Sequence, residues 1–112
     1  MSLHHARAGE IVNLRPLGPG LQNAKNTALV KTGHFEAIRM IVRAGESIAP
    51  HKVAGHITLH CLEGRVRLSL ERSALELGAG DWVYLDRGEM HSVEGMEDAS
   101  LLLTILFEPR RE

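Results

Sequence analysis

Residues 74–95 read ALELGAGDWVYLDRGEMHSVEG, and this stretch decides the fold. It predicts a strand, a Gly78-Ala79-Gly80 turn, a second strand, a turn at Asp86-Arg87-Gly88-Glu89 and a third strand, because short apolar runs cut by glycine clusters are strand and turn signals. The same pattern extends outward on both sides. Residues 56–71, HITLHCLEGRVRLSLE, read as a hairpin around Glu63-Gly64, with Val66, Leu68 and Leu70 alternating with Arg65, Arg67 and Ser69. A residue pair ending in glycine supplies the positive φ that tight hairpins favour. Residues 34–47, HFEAIRMIVRAGES, have the β-branched and apolar density of a strand followed by a glycine turn. The run ASLLLTILFEP over residues 99–109 has strand length and ends at Pro109.

No segment after residue 30 keeps the i, i+3, i+4 apolar spacing of a helix over three turns. Residues 10–33, interrupted by Pro16 and Pro19, read as an irregular lead-in with one or two edge strands. Seven to nine short strands with turns at intervals of about 8–12 residues imply a β-sandwich or barrel. The prediction is therefore all-β and a single domain, with residues 1–34 as a lead-in belonging to the same domain as a barrel over residues 35–112.

Size and charge narrow the function classes. A chain of 112 residues holds one core, and dividing it would leave pieces too small to bury enough apolar surface. Thirteen basic and fourteen acidic residues, a net charge of −1, are spread along the sequence. That distribution offers neither the basic stripe of a nucleic-acid binder nor a polybasic membrane patch. No apolar run approaches the ~18 residues that span a bilayer, and the first residues lack the apolar core of a secretory signal. The single cysteine, Cys61, has no internal disulfide partner, and the expected setting is the reducing cytoplasm.

Histidine and glycine spacing then points to a family. Gly45, His51 and Gly64 resemble the first motif of the cupins, Gly-x5-His-x-His-x3–4-Glu-x6-Gly. Gly80, Asp86 in the proline slot, Gly88, His91 and Gly95 in the asparagine slot resemble the second, Gly-x5-Pro-x-Gly-x2-His-x3-Asn. Fifteen residues lie between Gly64 and Gly80, similar to the spacing in small bacterial cupins. The resemblance covers residues 35–107. It implies a double-stranded β-helix, or jelly-roll barrel, commonly paired as a homodimer. It also implies a divalent transition metal (Fe, Mn, Ni, Cu or Zn) held by three histidines and a glutamate. Of those slots His51 and His91 are kept, while Val53 takes the second histidine position and Ile57 the glutamate position.

Alternation sorts the remaining candidates. Successive side chains in a strand face opposite ways, so Ile57, Leu59 and Cys61 share one face, and the resemblance places position 57 inside the barrel. Thr58 and His60 then face out, toward solvent or a partner subunit. His56 follows Gly55 at a turn near the barrel mouth, and with His51 and His91 it makes a candidate three-imidazole metal face. The apolar pocket wall is expected from Val53, Ile57, Leu59, Cys61 and Val93. Cys61 is read as inert core, His34 as a surface turn, Glu89 as a rim residue and Glu94 as facing away from His91. Trp82 and Tyr84 have like parity and are expected to pack on a face.

Two functional readings follow, together with a role in assembly. In the first, a degenerate metal site at His51 and His91, helped by His56, serves an oxygenase or isomerase acting on a small molecule. In the second, the barrel is a metal-free module that binds or senses a small ligand. In the third, outward positions such as Thr58 and His60 make the barrel a dimeric assembly unit.

Overall fold

The computed structural model describes residues 5–51 and 55–107, with only the backbone of Pro50 and His51 included. A short 3-10 helix (Gly18–Asn23) precedes nine strands: β1 (Thr27–Lys31), β2 (Phe35–Val42), β3 (Ser47–His51), β4 (His56–Glu63), β5 (Arg65–Leu70), β6 (Ala74–Gly78), β7 (Trp82–Leu85), β8 (His91–Gly95) and β9 (Ala99–Leu106). They form a five-stranded sheet in the order β1-β2-β9-β4-β7 and a four-stranded sheet in the order β3-β8-β5-β6. Every described pairing is antiparallel. The chain crosses from one sheet to the other at nearly every turn, which is the winding of a jelly roll.

One local expectation is corrected. Residues 56–71 do not form a hairpin, because β4 pairs with β7 and β9 whereas β5 pairs with β6 and β8. Gly64 does adopt the positive φ expected of a turn, at +79°. The turn is nonetheless a corner between sheets. A Cβ on Gly64 would lie 2.0 Å from the Asp98 carbonyl oxygen, so the corner is seated against the β8–β9 connection. The true hairpin partner of β5 is β6, the strand that follows it.

Alternation places the core between the sheets. Ile57, Leu59 and Cys61 of β4 meet Val66 and Leu68 of β5, Val93 of β8, and Ala99 and Leu101 of β9 in one buried cluster. The outer face of the large sheet is covered at one end by the lead-in. There the Glu63 carboxylate accepts hydrogen bonds from the Leu17 and Gly18 amides (2.8 and 3.1 Å) and from Ser100 Oγ (2.8 Å). Arg43 donates to the carbonyls of Gln22 and Ala24, and the Asn26 side chain accepts from the Ile41 amide. These bonds satisfy backbone groups that would otherwise be left without partners at the two ends of the helix and on β2 beyond the start of β1. They also explain why Arg39 and Ile41, on the outer face, are buried.

Candidate functional site at the open end of the barrel

Burial falls along the strands in one direction. In β9 the residues Ala99 to Leu101 are fully enclosed, and those from Leu102 to Ile105 are half-buried. In β2 residues 39–42 are buried and residues 35–38 are not. The barrel is thus tightly filled at the end closed by the Gly45 and Gly64 corners and more open at the end where β3 finishes and β8 begins. Leu70, the register partner of His91, and Ile105, the register partner of Ile57, are the half-buried apolar residues of that end.

Both family-slot histidines sit at this end. His51 closes β3 and is the register partner of His91, which opens β8 and also pairs with Leu70. Residues forty apart in sequence are therefore adjacent across two strands. His91 is 5% exposed and has the inward parity of Val93. Its Nδ1 lies 3.1 Å from the carbonyl oxygen of Glu89. A carbonyl only accepts, so Nδ1 carries the proton of that bond and the lone pair of the neutral ring is on Nε2. The β7–β8 turn, with Glu89 in it, sets the orientation of the imidazole.

The other candidates separate. Ile57, Leu59, Cys61 and Val93 are all buried in the core cluster, and Val53 lies outside the described residues. Burial pushes the Cys61 thiol up from its ordinary pKa, with a weaker opposing effect from its hydrogen bond to the Glu63 carbonyl. Glu94 is exposed on the far side of β8 from His91. His60 is half-buried on the outer face, in register with Trp82 and Leu102. His34 lies in the exposed turn between β1 and β2.

His56 has the outward parity of Thr58 and His60. Its Nδ1 is 2.7 Å from the Tyr84 hydroxyl and 3.3 Å from Asp86 Oδ1, and the two rings stack with centroids 5.7 Å apart. The Tyr84 hydroxyl also donates to Asp86 at 3.2 Å. This phenol, imidazole and carboxylate group depends on β7 pairing with β4, a long-range contact that the spacing of Tyr84 and Asp86 does not announce. Among the described side chains, which do not include that of His51, no three His, Cys, Asp or Glu residues group as a metal-ligand set.

One acidic residue at this end, Glu36, belongs to neither spaced motif of the sequence. Glu36 is the register partner of Ile105, which pairs in turn with Ile57. It has the parity of Ile38, Met40 and Val42. The carboxylate missing from position 57 is thus present in the same cross-strand row, two strands away on β2. The alternation of Glu36 with the apolar β2 residues was the available sign.

The comparisons with known proteins agree with this architecture. Residues 38–107 match the family model described as a cupin domain. An uncharacterized protein of Aquifex aeolicus is 30% identical over 82 residues, covering 72% of this chain and 65% of that protein's own length. A conserved Streptococcus pyogenes protein of unknown function superposes with a TM-score of 0.77 at 15% identity, covering 98% of both chains. KdgF from a Halomonas species superposes with a TM-score of 0.64 at 25% identity, covering 77% of this chain and 80% of that one. Among the described residues no helix is long and apolar enough to cross a membrane. With its motif positions, its two facing sheets and the family match over most of its length, the chain belongs to the cupin family.

Proposed function

We propose that this protein holds a small molecule in the open end of its barrel, oriented by His91 and His51. The observation that supports this reading best is the bond from His91 Nδ1 to the Glu89 carbonyl, which fixes the tautomer and the orientation of a nearly buried imidazole with inward parity. Apolar walls with a few convergent polar groups are the usual composition of a small-molecule site. Leu70 and Ile105 supply apolar wall at that end, and Glu36 adds one carboxylate to the same end of the barrel. Imidazole is the side chain most often used for proton transfer at such sites.

The second reading places a divalent metal on His91 and His51. The same Nδ1 bond favours it, because a carbonyl partner on one ring nitrogen orients the other toward a metal. The complete four-ligand set that the family resemblance implies does not fit this chain. Ile57, 2% exposed and packed in the core, stands in the carboxylate slot. A metal here would have two imidazole ligands from the family slots, with water in its remaining positions. An oxygenase or isomerase activity belongs to this second reading.

Elemental analysis and native mass spectrometry of untagged protein, prepared without nickel resin or chelator, separate the two. Near one metal per chain, lost in both His51→Ala and His91→Ala, establishes the metal reading. A co-purifying small molecule without stoichiometric metal, lost in His91→Ala, establishes the first. Protein that carries neither and gains neither when offered metals or a metabolite library contradicts both.

We further propose that two copies pair through the outer face of the five-stranded sheet. Trp82 is 61% exposed there, and Tyr84 and Leu106 are exposed on the same face; large exposed apolar residues on one face mark an interaction surface.

A further inference from the structure

Outside the barrel, residues 12–17 of the lead-in run beside β1 and leave a groove of about 400 Å3. A hollow of about 320 Å3 continues it toward Ile11 and shares Val12, Asn13, Thr27 and Leu29 with it. Val12, Leu14, Leu17 and Leu29 wall the main groove, Arg39 lies in its lining and Lys25 stands at its exposed rim. Among the described residues no acidic side chain lines the main groove, while Glu10 lines the adjoining hollow. The groove wall is anchored at several points, by the Ala6 amide on the Leu29 carbonyl (2.6 Å), by Arg39 and by Glu63.

Arg39 is the unusual member of this group. It is 9% exposed, and its Nε is buried with no hydrogen-bond partner among the described residues. One Nη donates to the Arg15 carbonyl at 2.6 Å, and the other reaches the Asn13 carbonyl only at 3.5 Å. Its nearest carboxylate, Glu63, lies at 3.7 Å. The oxygens of that carboxylate are already held by the Leu17 and Gly18 amides and Ser100. A guanidinium normally engages its donors in paired, planar bonds, and carboxylates match that fork best. A buried donor left without a partner calls for an explanation.

We propose that this groove is a second ligand site, separate from the barrel, for a small amphipathic carboxylate. The ionised head lies toward Arg39 and Lys25, and the alkyl chain runs along Val12, Leu14 and Leu29. Lys25 at the rim and Arg39, whose charge is shared with Glu63 at 3.7 Å, provide the charge complementarity. The apolar walls select a medium-length hydrocarbon chain over a bare anion. The volume falls in the range of ordinary small-molecule sites, roughly 300–1,000 Å3.

Calorimetric titration of the whole protein with sodium octanoate tests this, alongside 1-octanol (tail without charge) and sodium acetate (charge without tail). The expected result is saturable one-to-one binding of octanoate, with both controls at least about tenfold weaker. Leu14→Trp, which fills the groove, abolishes binding. Lys25→Glu, a change at an exposed rim residue, weakens it several-fold without touching the core. Amide NMR shifts on adding octanoate concentrate at Thr27–Leu29 and leave Val93 unmoved. Three outcomes overturn the proposal: no saturable binding, octanol equalling octanoate, or octanoate binding that survives Leu14→Trp and is lost in His91→Ala. The last would move the ligand into the barrel.

Discussion

Glu63 shows how a single side chain can be structural and titratable at once. Burial alone would raise its pKa, but hydrogen bonds from the Leu17 amide, Ser100 Oγ and the Gly18 amide, with the Arg39 charge, outweigh burial and hold the carboxyl below the ordinary range. A depressed folded-state pKa means that the stabilisation is present above the unfolded value, near ~4.3, and is lost as pH falls through the folded one. Glu63→Gln is expected to cost roughly 1.5–3 kcal/mol at pH 7, the range for hydrogen bonds to a charged group. In urea unfolding the gap between wild type and variant should narrow as pH drops below 4, and a gap independent of pH would contradict this account. Cys61 presents the opposite case. With its thiol buried and its pKa raised, it should resist a thiol-reactive dye in the native state and react promptly in denaturant. Rapid labelling of folded protein would instead mean that the reagent reaches the barrel interior.

Among the elements, the connections carry as much information as the strands. Gly64 combines a φ of +79° with a Cβ position 2.0 Å from a backbone oxygen, so Gly64→Ala strains the corner twice, by conformation and by collision. A loss of about 3 kcal/mol or more is expected, since left-handed strain and overpacking each cost about 1–3 kcal/mol. An unfolding free energy within about 0.5 kcal/mol of wild type in chemical denaturation, a bound set by ordinary surface substitutions, would show that the corner relaxes freely. Gly95 is confined in a similar way, with its Cβ position 2.2 Å from the Arg43 carbonyl oxygen. The glycine in that motif slot thus has a steric cause in this chain. The strands themselves were legible from alternation: the β4 residues Ile57, Leu59 and Cys61 are buried in turn, as their spacing requires. The partner of β4 was not legible, because a Glu-Gly pair specifies a turn and is silent about whether the strands beyond it pair or diverge.

For the whole molecule, the two faces of the large sheet have different fates. The inner face packs into the core, while the outer face is capped at one end by the lead-in and carries Trp82 and Tyr84 in the open at the other. The expectation that these aromatics share a face holds, but they are exposed on it. If copies associate there, Trp82→Glu should convert a dimer into a monomer in sedimentation velocity while leaving the far-ultraviolet spectrum unchanged. A wild-type protein that sediments as a monomer at high concentration would remove this face from consideration. The lead-in also has more structure than its sequence, interrupted by Pro16 and Pro19, suggests. Its carbonyls and amides are bound by Arg39, Arg43 and Glu63, all supplied by strands distant in sequence.

What the sequence determined by itself was local and periodic. Alternating apolar residues specified the strands and which way each side chain faces. Glycines marked the turns, and two spaced motifs placed His51 and His91 in a common family pattern. Those features depend on a few neighbouring residues and on backbone sterics, so they can be read along a line. The tertiary structure decided everything that rests on strand order. It brought His51 beside His91, returned a carboxylate to the row of Ile57 through Glu36, and set His56 against Tyr84 and Asp86. It also buried Arg39 under the lead-in beside an apolar groove. Sheet pairing joins residues that no local energy term connects, and the chemistry of a site depends on those junctions.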